Sequence, residues 1–329
     1  MKKILVTGGA GYIGSHTIVE LIAAGYIPII VDNLCNTSTK NIYGIETIID
    51  AKVKWHNVDC TDKDAMNKVF SKEGNIVGVI HFAAYKSVEE SVQNPKKYYD
   101  NNMGSLKVVL ECMHENEVKN IIFSSSCTVY GKPDILPVEE NAPFKKAESP
   151  YGETKQICEE ILQLDDSNSV ALRYFNPIGS HPTALIGDCS ADRPSNLVPI
   201  IAEVAIGKRE KITIFGDDYN THDGTCIRDY IHVVDLAKSH VKAMDFLINN
   251  LGKHAFNIGT GIGVSVLDAV KAFEKINNLK INYSIGPRRS GDIEQIYANG
   301  NLVKIKLDWE AKESLEKAMK SAWDWEKLK

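Results

Sequence analysis

The feature that most constrains the fold is a regular alternation, in the first half of the chain, of short β-rich runs with longer helical patterns. The β-rich runs fall at residues 4–7, 28–32, 53–58, 77–82, 121–125 and 170–175. Helical patterns occupy residues 13–24, 62–70, 95–117 and 151–164. Such alternation is typical of parallel strands joined by right-handed helical crossovers. We therefore predict an α/β fold, a doubly wound parallel sheet with helices on both faces.

After about residue 176 this rhythm stops, and loop-rich stretches appear at residues 176–194 and 215–228. A chain of 329 residues also exceeds the roughly 150 typical of one domain. We predict a sheet domain over residues 1–176 and a smaller C-terminal α/β lobe over 177–329, with a return of about 228–260 to the first domain left open. From residue 311 the pattern is helical, and the nearby Trp309, Trp323 and Trp325 are predicted to pack in the core.

Composition excludes several classes of protein. The formal charge is -5, so no broad cationic face for nucleic acid is expected. No apolar run approaches the roughly 18 residues of a membrane span. Seven scattered cysteines without a CxxC spacing favour a reducing cytoplasm over a disulfide framework or a zinc cluster. The nine histidines show no ligand spacing, so no metal site is predicted.

A glycine-rich segment follows the first β-rich run directly. Gly8, Gly11 and Gly14 lie at its end and open the first helical pattern. Glycines there let the backbone turn sharply and approach a pyrophosphate at the positive helix N-terminus. Asp32 ends the second run, 18 residues beyond Gly14, where a carboxylate accepts from ribose hydroxyls and repels a 2'-phosphate. The combination predicts a dinucleotide site that prefers NAD to NADP.

Two further segments end β-rich runs at the same predicted sheet edge, where ligands of such folds bind. They are Asp59 and the tripeptide Phe82, Ala83 and Ala84. The alternative for Asp59 is that it caps the helix that begins near Asp62.

A tyrosine and a lysine, Tyr151 and Lys155, stand four residues apart on one helix face. The spacing alone is weak, but Ser124, Ser125 and Ser126 end the fifth run at the predicted ligand edge. A tyrosine is a poor base at neutral pH unless nearby positive charge favours its phenolate. Tyr151 is therefore a candidate base, Lys155 the group that tunes it, and Ser126 a proton relay.

These motifs resemble the extended short-chain dehydrogenase/reductases, whose TGxxGxxG loop, serine and YxxxK are all matched. The likeness extends from about residue 2 to 299 through segments such as VDNLCN, HFAAYKSV, FSSSCTVYG, LRYFNPIG, IRDYIHV and GPRRSGD. For the cofactor NAD, the resemblance implies contacts from Gly8, Gly11, Tyr12, Ile13, Gly14, Asp32, Asn33, Asp59, Cys60, Phe82, Ala83, Ala84, Lys86, Asn101, Ser124, Tyr151, Lys155 and Tyr174. For a UDP-hexose, it implies contacts from Lys86, Ser126, Tyr151, Phe175, Asn176, Asn196, Leu197, Thr213, Phe215, Arg228, Arg289, Asp292 and Ile296.

The function that the resemblance implies is reversible inversion at C4 of UDP-glucose and UDP-galactose through a transient 4-keto sugar, with tightly bound NAD, in galactose metabolism. A sugar-nucleotide 4,6-dehydratase is the first alternative, but such enzymes carry Asp-Glu where this chain has Cys127 and Thr128. The second alternative is an inactive NAD-binding sensor, which the intact Ser126, Tyr151 and Lys155 disfavour.

The resemblance also implies a homodimer formed through the helices at residues 95–117 and 151–164. Two segments depart from the family pattern and concern substrate breadth. The loop at 188–193 lacks the usual acidic, proline-containing stretch. Ile296 is expected to line the sugar pocket near the 2-substituent, the alternative being that Tyr297 fills the pocket and Ile296 faces the core.

Overall fold

The predicted alternation is present in the first half of the chain. The computed structural model describes residues 2–190, 194–289 and 291–329. Its first six strands are β1 (Lys3–Thr7), β2 (Ile27–Val31), β3 (Lys54–His56), β4 (Ile76–His81), β5 (Asn120–Ser126) and β6 (Asn168–Tyr174). The helices between them are α1 (Tyr12–Ala23), α2 (Lys40–Ile49), α3 (Lys63–Glu73), α4 (Val88–Gln93), α5 (Pro95–Tyr98), α6 (Gly104–Glu115) and α7 (Pro150–Leu164).

The rest of the described chain mixes short strands with helices. Its strands are β7 (Asn176–Ile178), β8 (Ile212–Phe215), β9 (Ile227–His232), β10 (Lys253–Ile258), β11 (Gly263–Ser265), β12 (Tyr283–Gly286) and β13 (Gln295–Ile296). Its helices are α8 (Leu197–Ala205), α9 (Val233–Asn249), α10 (Val266–Asn277), α11 (Asn301–Leu307) and α12 (Leu315–Leu328). No helix among the described residues is both long and apolar enough to cross a membrane.

Seven strands form one parallel sheet in the order β10-β6-β5-β4-β1-β2-β3. The direction of winding reverses between β1 and β4, because β2 follows on one side of β1 and β4 lies on the other. In open α/β sheets such a reversal leaves a crevice at the carboxyl ends of the strands. The predicted doubly wound fold is confirmed.

Both faces of the sheet are covered, as the continuous apolar runs of the strands require. On one face Ile4 and Val6 pack with residues of α1, α9 and α11, such as Ile18 and Met244. On the other face Leu5 packs with residues of α3, α6 and α7. Each such fully buried aliphatic side chain contributes about 1.5–3 kcal/mol relative to exposure. The sheet is therefore a rigid platform for whatever its carboxyl edge carries.

The predicted helix at 95–117 is interrupted. A π-helical turn at Tyr99–Met103 separates α5 from α6. Side chains of this turn leave the helical register, so Asn102 Oδ1 accepts from the backbone N–H of Tyr85 at 2.8 Å. Single π turns recur at functional sites, and this one directs Asn101 and Asn102 toward the carboxyl edge of the sheet.

Within residues 228–260, the predicted return to the first domain has a structural counterpart. Helix α9 packs on the large sheet, and β10 is its edge strand beside β6. Strand β9 instead pairs with β7, β11 and β13 in a separate small sheet. How the chain divides into domains stays a prediction. The tryptophans pack as expected, with Trp309 and Trp325 buried and Trp323 partly buried against α10.

Candidate active site

A large cavity of about 930 Å³ lies along the carboxyl edge of the large sheet. The ends of β1, β2, β4, β5 and β6 form its floor, and segments around β7, α8, β9 and β13 face them. It therefore occupies the crevice that the reversal between β1 and β4 creates. Its volume is in the upper part of the range of roughly 300–1,000 Å³ for ligand sites.

The glycine-rich segment forms one end of this cavity as a cradle that only glycine permits. A Cβ atom on Gly14 would lie 2.4 Å from the carbonyl oxygen of Gly8. Gly8 has φ +67°, and a Cβ there would lie 2.8 Å from the backbone nitrogen of Ala83. Gly11 precedes α1, whose N-terminus has no side-chain cap and faces the cavity. The backbone N–H groups at the start of α1 therefore have no side-chain partner and can bind the negative charge of a pyrophosphate.

Asp32 lies where β2 ends and is 8% exposed. Its Oδ2 accepts from the backbone of Ala10 at 3.0 Å, and its Oδ1 accepts from the backbone of Leu34 at 2.9 Å. Burial raises the pKa of this carboxyl, and the two backbone donors partly offset that effect. The carboxylate is thus fixed in direction, with lone pairs left for hydroxyl groups of a ligand.

Asp59 closes a turn beside this end of the cavity. Its Oδ1 accepts from the backbone and hydroxyl of Thr61 at 2.8 and 2.6 Å, and its Oδ2 accepts from Asn33 at 2.8 Å. The side chain that caps α3 is Asp62, which accepts from Ala65. The alternative of Asp59 as the helix cap is therefore wrong, and Asp59 lines the cavity.

Ser126, Tyr151 and Lys155 all line the middle of the cavity. Helix α7 starts there because Ser149 caps it by accepting from Gly152 at 3.2 Å, with Pro150 at the first helical position. Tyr151 lies in the first turn, and Lys155 Nζ lies 5.8 Å from the centre of its ring. Lys155 also donates to the Ser124 carbonyl at 2.6 Å, which ties α7 to the end of β5.

Burial is the largest influence on the pKa values of Tyr151 and Lys155. It raises the pKa of Tyr151 to about 12, while a hydrogen bond from Ser126 acts in the opposite direction. Burial also lowers the pKa of Lys155 to about 8. The sequence argument expected the ammonium to favour the tyrosine phenolate, but in the protein itself the pKa of Tyr151 moves the other way. Desolvation outweighs a charge 5.8 Å from the ring.

The opposite wall carries the predicted sugar-nucleotide residues. Arg289 donates to Asp292 Oδ1 at 2.8 Å, and an Arg228 nitrogen lies 4.0 Å from the same oxygen. Arg228 is mostly buried, with its side chain 18% exposed, whereas that of Arg289 is 56% exposed. The Arg289 guanidinium also lies 5.4 Å from the centre of the Phe215 ring. Two guanidinium groups that converge on one carboxylate are arranged to receive an anion.

Most of the predicted site residues line this one cavity, and three do not. Leu197 lies at the start of α8 and packs toward a separate apolar cluster. Thr213 and Phe215 lie on β8 and are exposed. Those that do line the cavity are Gly8, Gly11, Tyr12, Ile13, Gly14, Asp32, Asn33, Asp59, Cys60, Phe82, Ala83, Ala84, Lys86, Asn101, Ser124, Ser126, Tyr151, Lys155, Tyr174, Phe175, Asn176, Asn196, Arg228, Arg289, Asp292 and Ile296.

Ile296 is 3% exposed and lines the cavity while it packs with Phe175 and Cys127. Tyr297 follows the end of β13 and is outside the cavity lining, and its ring would be 3.1 Å from a Cβ on Gly263. The geometry therefore favours Ile296 over Tyr297 as the residue facing a ligand. Of the predicted loop at 188–193, residues 191–193 lie outside the described part of the chain.

Sequence reasoning missed the wall formed by Asp188 and the C-terminal helix. Asp188 pairs with Lys86 at 3.4 Å across the cavity. Trp325 donates from its indole nitrogen to the Asp188 carbonyl at 3.2 Å, and its ring covers Gly187, where a Cβ would lie 2.4 Å away. No local motif marks this contact, because it joins segments far apart in sequence.

One cluster within the described residues brings three potential metal ligands within 4.8 Å, namely His222, Asp223 and Asp268. Its contacts already have an explanation. His222 pairs with Asp268 at 2.7 Å, and Asp223 accepts from Thr225 and Ser265, the residue that caps α10. We therefore interpret the cluster as a hydrogen-bonded surface network that caps a helix.

With this fold and this cavity, the chain belongs to the NAD dependent epimerase/dehydratase family, whose model matches residues 4–259. The curated relatives it resembles are UDP-glucose 4-epimerases. It is 47% identical to that of Pasteurella multocida over 98% of this chain and 97% of the relative. It is 43% identical to that of Homo sapiens, over 99% and 97%. The class of enzyme predicted from the sequence is confirmed.

Solved structures agree. The UDP-glucose 4-epimerase of Bifidobacterium longum, in complex with NAD+ and UDP, matches with a TM-score of 0.96 and 44% identity, over 99% of this chain and 98% of that one. The enzyme of Stenotrophomonas maltophila, with bound NAD and formylated UDP-arabinopyranose, matches with a TM-score of 0.96 and 41% identity, over 100% and 98%.

Proposed function

We propose that this protein interconverts UDP-glucose and UDP-galactose by reversible epimerisation at C4, with tightly held NAD, as a step of galactose metabolism. The observation that carries the proposal is the layout of the cavity. A glycine cradle with Asp32 lies at one end, Ser126, Tyr151 and Lys155 lie in the middle, and two arginines lie opposite. A dinucleotide bound at the first end and a sugar nucleotide bound at the other would bring the nicotinamide and the hexose together at Ser126, Tyr151 and Lys155.

The cradle and Asp32 are suited to hold NAD, which when bound accepts a hydride from C4 of the sugar and later returns it. Gly14 lets the start of α1 pack directly on the turn at Gly8, since a Cβ on Gly14 would collide with the Gly8 backbone, and this close packing leaves the helix start open for the pyrophosphate. Asp32 is aimed by two backbone donors and accepts from the adenosine ribose. Its charge opposes a 2'-phosphate, which supports NAD over NADP.

Tyr151 acts as the base that removes the proton of the 4-hydroxyl, directly or through Ser126. Lys155 holds the ribose next to the nicotinamide and supplies positive charge beside the phenol. Since burial raises the pKa of Tyr151 to about 12, the tyrosine needs that positive charge to work at neutral pH. Lys155 is held within 5.8 Å of the ring by its bond to the Ser124 carbonyl.

Arg228 and Arg289 anchor the pyrophosphate of UDP, and Asp292 accepts from its ribose. An anchor at the nucleotide leaves the hexose free to turn over, so that the opposite face of C4 meets the cofactor. Ile296 and Phe175 offer the hexose only apolar surface, which does not fix one orientation. Net redox change is absent, so the cofactor has no need to leave.

The 4,6-dehydratase alternative has little support from the site. At the position after Ser126, Cys127 is buried, and burial raises the pKa of its thiol to about 12. Such a thiol is neither an acid nor a base of use at neutral pH. The sensor alternative does not account for the convergence of Ser126, Tyr151 and Lys155.

We further propose that the protein is a cytoplasmic homodimer. Helix α7 and the segment α5–α6 would form a four-helix contact with a second copy. The apolar side chain of Leu164, at the end of α7, is 88% exposed, which supports a partner there. Sedimentation at micromolar concentration distinguishes a dimer from a 36.5 kDa monomer.

The test of the proposed activity uses purified protein, UDP-galactose and no added cofactor, with products identified by NMR. We expect UDP-glucose to form, and acid denaturation of a fresh sample to release about one NAD per chain. The Lys155→Met variant is the matched negative control. A requirement for stoichiometric NAD with accumulation of NADH would instead show a dehydrogenase.

A further inference from the structure

A buried histidine behind the cavity has no part in the chemistry described so far. His240 lies on α9 and is 0% exposed. Its ring packs against Phe82 at 4.7 Å and Tyr174 at 5.3 Å between ring centres. Both of these residues line the cavity, whereas His240 does not. The histidine is therefore one layer behind the middle of the cavity floor.

The hydrogen bonds of His240 fix which nitrogen carries the proton. Nδ1 lies 2.8 Å from the Leu236 carbonyl oxygen, which can only accept. Nδ1 must therefore be the N–H. Burial lowers the pKa of His240 to about 3, so the ring is neutral at working pH and Nε2 is a bare acceptor. The partner of Nε2 is the Tyr174 hydroxyl, which must donate.

The direction of this bond determines what Tyr174 offers to the cavity. Burial raises the pKa of Tyr174, so the hydroxyl keeps its one proton and gives it to His240. The Ser124 side chain also hydrogen-bonds this oxygen, and the lone pair that is left can only accept. Tyr174 ends β6 and pairs in register with Ser126 of β5. Its hydroxyl also lies close enough to the Tyr151 hydroxyl for the two to interact electrostatically, so the acceptor is near the group proposed to perform the chemistry.

We propose that His240 is a positioning residue that makes Tyr174 an obligate hydrogen-bond acceptor for the carboxamide N–H of a nicotinamide dinucleotide. The proposal rests on the proposed function, because it concerns the same cofactor. An amide NH2 satisfies the acceptor, whereas the carboxylate of nicotinic acid adenine dinucleotide places oxygen against oxygen. His240 would thereby select the amide form without touching the cofactor.

The experiment measures dissociation constants of NAD and of nicotinic acid adenine dinucleotide by calorimetry on protein stripped of cofactor. We expect wild type to bind NAD at least roughly tenfold more tightly, the usual scale for one misplaced buried hydrogen bond. Tyr174→Phe and His240→Leu should each bring this ratio down by a similar factor. Tyr230→Phe, a buried tyrosine outside the cavity lining, is the matched control and should keep the wild-type ratio.

A double-mutant cycle separates positioning from general structural damage. Because His240 acts through the Tyr174 hydroxyl, His240→Leu should change the ratio no further in the Tyr174→Phe background. Additive effects, or an unchanged ratio in either single variant, overturn the proposal. Selective ¹⁵N labelling of histidine tests it without mutation, since a His240 ring protonated at Nε2 also overturns it. If wild type binds neither dinucleotide, the proposed function itself fails.

Discussion

The two ends of the cavity are built differently. At the cradle end, close packing fixes the backbone at Gly8 and Gly14, and backbone hydrogen bonds fix the carboxylate of Asp32. At the other end the predicted contacts are long side chains, Arg228 on strand β9 and Arg289 on a loop, and Arg289 is 56% exposed. Rigid backbone loses little entropy on binding, whereas flexible side chains must be ordered each time. The difference suits one ligand that stays and another that exchanges.

The largest effect should follow from closing the cradle. Gly14→Ala places a Cβ 2.4 Å from a carbonyl oxygen that cannot swing aside. We expect copurified dinucleotide, measured after denaturation, to fall to near zero. Gly104→Ala is the matched control, because its Cβ would meet no atom closer than 3.9 Å and it lies in a helix. Normal dinucleotide content in Gly14→Ala would remove the basis of the comparison.

The next effect concerns chemistry without binding. Tyr151→Phe keeps the ring and removes the titrating hydroxyl, so kcat should fall by roughly two to four orders of magnitude, as for the loss of a general base. Dinucleotide content should persist, because the cradle is untouched. Tyr43→Phe changes an exposed tyrosine and should keep wild-type kcat. Wild-type turnover by Tyr151→Phe at neutral pH would exclude it as the base.

At the flexible end, losses should appear in KM and should scale with burial. Arg228→Met removes a mostly buried charge, so KM for the UDP-sugar should rise roughly 10- to 100-fold. Arg289→Met removes an exposed one and should cost less. Arg209→Met, whose partner is Glu203 outside the cavity lining, is the control. Loss of copurified dinucleotide in either variant would show that the two ends are not independent.

The smallest effect concerns substrate breadth. Ile296 is stiff at Cβ and lines the cavity next to Phe175. We expect efficient turnover of UDP-glucose and UDP-galactose, with weaker but measurable turnover of their 2-acetamido counterparts. Ile296→Tyr should lower kcat/KM for the acetamido pair by several-fold, on the order of one steric clash, and leave the other pair near wild type. An acetamido rate unmoved by the bulkier side chain would show that Ile296 is not the gate.

The same contrast explains what the sequence could predict. The strands and the glycine cradle follow from local rules, since apolar runs must be buried and only glycine fits beside Gly8. Helix α4 was missed because its six residues are too few to show a period. Helix α2 was missed although it has an amphipathic pattern, because Asn41 and Gly44 interrupt the apolar residues on its buried face. The π turn at Tyr99–Met103 was missed because its register change is stabilised by tertiary contacts such as that between Asn102 and Tyr85.

At the end of the cavity that carries the arginines, the sequence predicted some of the lining residues correctly but not all of them. Arg228 and Asp292 lie together in the cavity, but Thr213 and Phe215 lie on β8 outside its lining. Both side chains lie on the exposed face of a strand, and no local pattern in the sequence reveals that this strand pairs with β12. Thr213 and Phe215 were named only because the family resemblance implied them, and their contacts with a ligand stay a prediction.

Trp325 joins the C-terminal helix α12, which is synthesised last, to the segment at Gly187 and Asp188, which is synthesised much earlier. Its ring covers Gly187 and its indole nitrogen bonds Asp188, so α12 completes a wall of a cavity whose cradle is formed by residues 8–14. During synthesis from the N-terminus, the six strands β1–β6 can assemble well before this wall exists. A ligand that contacts this wall can therefore bind only after α12 has folded onto the rest of the protein. A ligand that binds only when this wall is complete also opposes local unfolding of α12. It lowers the equilibrium constant for that unfolding by a factor of one plus the ratio of ligand concentration to dissociation constant.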